Sequence, residues 1–188
     1  AYQQAFSASK PLICYAVKAN STLSVLALLA SEGAGFDIVS AGELQRVIAA
    51  GGDAGKVIFS GVAKREDEIS LALSHNIHCF NIESEAELHR VNEIALAHKK
   101  RARITFRINP DVDAKTHPYI STGLKSNKFG VAHTDALRLY VLAASMPGIE
   151  VHGIECHIGS QITELSPYID ALRRLLSLVD DLEARGVH

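Results

Sequence analysis

Cysteine is scarce here: Cys14, Cys79 and Cys156, an odd number at long spacings. That excludes a disulfide framework and a zinc-type cysteine cluster. Each cysteine sits in an apolar, strand-like run, where a free thiol is normally buried. Charge of one sign is also lacking. The formal net charge is −2, which gives no electrostatic case for nucleic acid or an anionic membrane surface. No apolar run approaches the roughly 20 residues that span a bilayer. The first residues, AYQQAFSASK, lack a signal-peptide core, so the expected location is the cytoplasm. Glycine-rich phosphate loops are missing where they would be useful. The first strand-like run is followed by ANSTL, and GAG (33–35) and GGDAGK (51–56) both precede strands. A dinucleotide or P-loop fingerprint has to follow one.

What is present is ordinary for a globular protein: 188 residues, 47% hydrophobic and 21% charged, enough for one domain with a sizeable core. Apolar runs of strand length alternate with stretches of helical periodicity. Strands are expected at LICYAVK (12–18), GFDIVS (35–40), KVIFSG (56–61), IHCFNI (77–82), RITFRIN (103–109) and VHGIECHIG (151–159). The helical stretches between them include TLSVLALLASEG, GELQRVIAAGG and ESEAELHRVNEIALAHKK. The last begins acidic and ends basic, as the helix dipole favours. Apolar strands joined by helices imply a parallel sheet covered on both faces. A (β/α) barrel fits better than an open doubly wound sheet, but such a barrel has eight strands and only six are expected here. The chain has no initiating Met and stops at DLEARGVH. We therefore expect residues 1–188 to form part of a barrel, with its remaining strands outside this sequence. The longest irregular stretch is 109–130, of a length that is usually functional.

In (β/α) barrels chemistry gathers at the C-terminal ends of strands. The first strand ends in Lys18, the second carries Asp37 and ends in Ser40, the fifth carries Arg107 and Asn109, and the sixth ends in His157, Ile158, Gly159, Ser160 and Gln161. No metal set is expected there. In HGIECH, strand alternation puts His152 and His157 on opposite faces. A lysine amine that loses its proton attacks carbonyls. It then either forms a Schiff base with a substrate, as in an aldolase, or holds an aldehyde cofactor. Gly159 and Ser160 offer N–H groups and a hydroxyl to an anion, and the His157 ring can lie against a flat cofactor. Pyridoxal phosphate needs those three things. The same residues also fit plainer roles: a solvated lysine, an Arg107–Asp37 ion pair and a core histidine. These alternatives stay open on the residues alone.

YAVKAN (15–20), GFDIVSAGEL, TFRINPDV, HPYISTGLKSNKFGV and HIGSQ occur in this order through the chain. The set resembles the diaminopimelate decarboxylase family, within the fold-type III pyridoxal-phosphate decarboxylases. That resemblance implies an alanine racemase-like TIM-type barrel, here about six of its eight βα units. It implies pyridoxal 5′-phosphate as cofactor, held on Lys18. Asp37 and Arg107 are then polar neighbours of the cofactor, His157 stacks on its ring and Ser160 is a phosphate ligand. The implied reaction removes one carboxylate of meso-2,6-diaminoheptanedioate, giving L-lysine and CO₂ in a cytoplasmic homodimer. Arginine or ornithine decarboxylation, and a non-catalytic partner-binding relative, are the alternatives. Family members also carry a glycine-rich phosphate turn, a glutamate for the pyridine nitrogen and a C-terminal β domain. These would lie beyond residue 188, so this chain alone is expected to be inactive.

Overall fold

In a computed structural model, residues 2–112 and 129–187 are described. HPYISTGLKSNK, including Lys125 and Lys128, lies outside them. The described chain forms two compact units, residues 1–80 and 81–188.

The first unit opens with a short helix α1 (Tyr2–Ala5) and then alternates strand and helix: β1 (Cys14–Ala16), α2 (Leu23–Ser31), β2 (Gly35–Ile38), α3 (Ala41–Ala49), β3 (Val57–Phe59), α4 (Glu66–Ser74) and the start of β4 (Cys79–Ile82). The strands pair in sequence order, all parallel, with Ala16 opposite Asp37, Asp37 opposite Ile58, and Ile58 opposite Cys79. Strand alternation sorts the side chains. Phe36, Ile38 and Phe59 are fully buried, together with Leu26, Leu44, Val47 and Ile69 from the helices. Phe59 stacks on Phe80 with centroids 6.0 Å apart. Asp37 takes the opposite face of β2. Gly35 fits because it has no Cβ. One placed there would stand 2.6 Å from the Lys56 carbonyl oxygen and 2.7 Å from Cys14 Sγ.

The second unit continues with α5 (Glu85–Ala97), β5 (Ala102–Asn109), β6 (Val131–Ala132), α6 (His133–Ser145), β7 (Ile149–Glu155) and α7 (Ser166–Glu183). β5 is its centre, pairing in parallel with β6 and β7. The β5–β7 ladder has one irregularity: Ile104 faces Val151, but Thr105 faces Gly153. His152 is therefore an extra residue, a β-bulge. A smaller cluster of Val112, Ile158 and Ala171, flanked by Cys156 and Ile162, packs α7 against the segment after β7.

Two helices start by the same device, legible as S-x-x-E. Ser40 caps α3 by accepting from the Glu43 N–H, and Glu43 Oε2 accepts from the Val39 N–H at 2.7 Å. Ser84 and Glu87 repeat this at α5, with Glu87 Oε2 2.8 Å from the Glu83 nitrogen. Each device satisfies backbone donors that a helix start leaves unpaired and fixes the chain where a strand hands over to a helix.

The α/β alternation is as expected, with two differences. There are seven strands among the described residues rather than six. The additional one, β6, spans Val131–Ala132 just after the long irregular stretch and is too short to carry a pattern. The first and last strands also end early, β7 at Glu155 where the expected strand runs to 159. β1 stops at Ala16, and Val17–Ala19 form a single 3₁₀ turn.

Candidate active site

Lys18 lies in that 3₁₀ turn, just beyond β1. Val17 is the buried residue there, and Lys18 is exposed. The lysine is therefore not the last residue of a buried strand. The turn lifts it off the strand end, and among the described residues Lys18 has no hydrogen-bond or salt-bridge partner. Asp37 is two strand positions from Lys18 in register, since it pairs with Ala16. Its carboxylate accepts a 2.6 Å hydrogen bond from the Ser60 hydroxyl at the end of β3. Lys64 follows on the same loop and is almost fully buried. Its ammonium donates to the Gly61 carbonyl at 2.7 Å and sits 5.7 Å from the centre of the Phe59 ring. Ser40, expected at the same strand end, is occupied in capping α3.

In the second unit, Arg107 is the centre of a polar row. Its Nη1 donates to Glu83 Oε1 at 3.4 Å, and its guanidinium lies 5.2 Å from the centre of the Phe129 ring. Glu83 is buried at the end of β4, and its other oxygen accepts from the Gly130 N–H at 3.1 Å. Thr105, one position further along the same face of β5, donates to Asn81 at 2.6 Å. Asn109 donates to the Phe129 carbonyl at 2.6 Å. Arg107 Nε is buried and has no hydrogen-bond partner among the described residues. A buried donor without an acceptor is costly, so this edge of the guanidinium is suited to an oxygen of a bound anion or phenol.

His157 follows β7 by two residues and is half-buried. Gly159 has φ +147° and Gln161 φ +57°, so the chain turns sharply on either side of the exposed Ser160. Cys156, between Glu155 and His157, has its thiol pushed up to about 11 by burial and then by the Glu155 charge, which Arg107 partly offsets. Cys14 is also raised to about 11, by burial first and the Asp37 charge second. Both are structural thiols rather than nucleophiles at neutral pH. Among the described residues no cluster of three or more His, Cys, Asp or Glu side chains could hold a metal ion, and no helix is long and apolar enough to cross a membrane.

Ser60 and Glu83 stand at the ends of β3 and β4, and each partners a predicted residue: Ser60 meets Asp37, and Glu83 meets Arg107. The acid beside Arg107 is thus Glu83. The signal was available in KVIFSG and in IHCFNIES.

Each unit carries polar side chains at strand ends, Lys18 and Asp37 in the first and Glu83 and Arg107 in the second, as in enzymes of the (β/α)-barrel class. The chain belongs to the pyridoxal-dependent decarboxylases: the model of their pyridoxal binding domain matches residues 1–188. Among its relatives, the diaminopimelate decarboxylase of Vibrio cholerae serotype O1 is 62% identical over 177 residues, covering 94% of this chain and 42% of that protein. That of Neisseria meningitidis serogroup B is 59% identical over 186 residues, covering 99% of this chain and 45% of the relative. The crystal structure of the Helicobacter pylori diaminopimelate decarboxylase complexed with L-lysine matches with a TM-score of 0.96 at 47% identity, over 99% of this chain and 47% of that one. The fold is accordingly the corresponding part of a pyridoxal-phosphate decarboxylase barrel. The chain spans less than half the length of these relatives.

Proposed function

We propose that this chain is the cofactor-holding part of a decarboxylase that converts meso-2,6-diaminoheptanedioate to L-lysine and CO₂, with pyridoxal 5′-phosphate as cofactor. The observation that carries the reading is the 59–62% identity, over nearly the whole chain, to relatives named diaminopimelate decarboxylases. Arg107 Nε and the Lys18 amine, both without a partner among the described residues, are the features of this structure that fit the group.

The roles follow from the chemistry of each residue. Lys18 would hold the cofactor through its amine. Asp37, oriented by the Ser60 hydroxyl, presents a fixed negative charge. Arg107, held by Glu83, presents Nε to an anionic oxygen. His157 offers a flat ring for the cofactor to lie against. Ser160 and the backbone N–H groups around it serve the phosphate. When bound, pyridoxal phosphate supplies the electron sink that lets a carboxylate depart as CO₂. The chain's own residues would position the group.

Residues 1–188 then form a partial (β/α) barrel domain. The remaining strands and a C-terminal β domain are supplied by the rest of a longer protein that works as a cytoplasmic homodimer, and the isolated chain is inactive. The test is an assay of the full-length protein for CO₂ release from meso-2,6-diaminoheptanedioate, arginine and ornithine. The expected result is turnover of the first alone, with Lys18→Ala losing both turnover and the visible absorption of bound cofactor. Turnover of arginine or ornithine instead would reassign the substrate. A wild-type protein without cofactor absorption would overturn the reading.

A further inference from the structure

The bulge at His152 decides which face of β7 carries which side chains. In a parallel ladder, paired residues point to the same side. Ala102, Ile104, Phe106 and their partners Ile149, Val151 and Ile154 share one face. Phe106 packs edge-on against Tyr140 of α6, with centroids 4.9 Å apart, so this is the face covered by helices. Thr105 and Arg107 point the other way, with Gly153 and Glu155 as partners. Val151 lies on the helix-covered face, so uninterrupted alternation would put Gly153 and Glu155 there too. The extra residue moves Gly153 and Glu155 to the face of Arg107. Beyond the strand, Cys156 and Ile158 pack with Ala171 of α7.

A bulge interrupts the ladder and leaves backbone groups to be satisfied. Here one side chain meets them. The Tyr140 hydroxyl accepts from the Phe106 N–H at 3.2 Å and donates to the Gly153 carbonyl at 2.8 Å. It is inserted between β5 and β7 as a stand-in for the missing rung. Burial keeps the phenol well above its ordinary range, so it remains a donor.

We propose that Tyr140 is a positioning residue: its hydroxyl pins the His152 bulge, and the pinned bulge turns Glu155 onto the face of Arg107, where the cofactor is to be held. This rests on the functional reading above for the cofactor, but not for the bulge. Tyr140 acts through the register of a strand.

Two measurements on the full-length protein separate the two claims. The variants are Tyr140→Phe, which keeps the ring and its contact with Phe106, and Leu139→Ala, which removes core packing from the same helix without touching the bulge. Amide hydrogen exchange over residues 149–158 is expected to quicken about tenfold or more in Y140F, beyond any change that L139A produces at matched thermal stability. Pyridoxal phosphate affinity, read by titration of its visible absorption, is expected to fall about tenfold in Y140F and to stay within about twofold in L139A. Deletion of His152 is the second test of the bulge and is expected to weaken cofactor binding at least as much as Y140F.

Exchange over 149–158 as slow in Y140F as in the wild type would overturn the pinning. Faster exchange with unchanged cofactor affinity would overturn the link from bulge to ligand face. A wild-type protein that binds no cofactor would sink the functional reading, while the exchange arm still judges the bulge.

Discussion

The Ser60 hydroxyl donates to Asp37 at 2.6 Å, tying the end of β3 to the middle of β2. A short hydrogen bond to a half-buried carboxylate is of the charge-assisted kind. Ser60→Ala removes the donor and leaves the carboxylate less well satisfied. Hydrogen bonds to charged groups contribute about 1.5–3 kcal/mol. Partial exposure of this one puts the expected loss at the lower end, about 1–2 kcal/mol, read as a lower urea midpoint with an unchanged slope. An unchanged midpoint would show that the bond is not a stabilising one.

Glu83 serves both Arg107 and the Gly130 N–H. Its replacement by Ala leaves a buried guanidinium without its carboxylate, a change that typically costs about 3–5 kcal/mol. Arg107→Lys is the gentler probe. Lysine keeps the charge but has no planar fork and no Nε donor. Full-length R107K is expected to fold, with cofactor affinity reduced about tenfold, equal to about 1.4 kcal/mol. Wild-type affinity in R107K would remove Arg107 from the cofactor's neighbours.

Gly130 has φ +75°, and a Cβ there would stand 2.5 Å from the Arg107 carbonyl oxygen. Backbone cannot move aside as a flexible side chain can. Gly130→Ala is expected to destabilise by about 2 kcal/mol or more, since strain of this kind alone costs about 1–3 kcal/mol. Scanning calorimetry would show it as a lower melting temperature. An unaltered melting curve would mean that β6 can shift relative to β5.

Cys14 and Cys156 both have thiols raised from about 9 to about 11. A raised value in the folded state means that folding favours the protonated form. The associated stability is fully present below about pH 9 and is lost as pH rises toward about 11. The protein is therefore expected to lose stability across that window, and Cys156→Ala to lose less of it. Denaturant midpoints at a series of pH values would test this. Equal alkaline loss in the variant would exclude Cys156 as a source.

Much of this was legible in the residues. GFDIVS announces β2 with a polar side chain facing away from Phe36 and Ile38, and SAGE and SEAE announce two helix starts. The sequence pattern ends the first strand at Lys18, whereas Lys18 lies in a 3₁₀ turn beyond it, because nothing in CYAVKAN separates an extended residue from such a turn. Glu83 and Ser60 were missed through incomplete use of a sound rule. The His152 bulge was beyond reach. VHGIE reads as regular alternation, and the tyrosine hydroxyl that stabilises the irregularity arrives from another element, which no local pattern records.

The same bulge makes segment length a constraint in its own right. Most turns in this chain could gain or lose a residue at its surface with modest effect. Between Val151 and His157 a single-codon insertion or deletion would exchange the two sides of the strand, whatever residues were used. Divergence among kindred sequences should therefore proceed by substitution there, with gaps confined to other places.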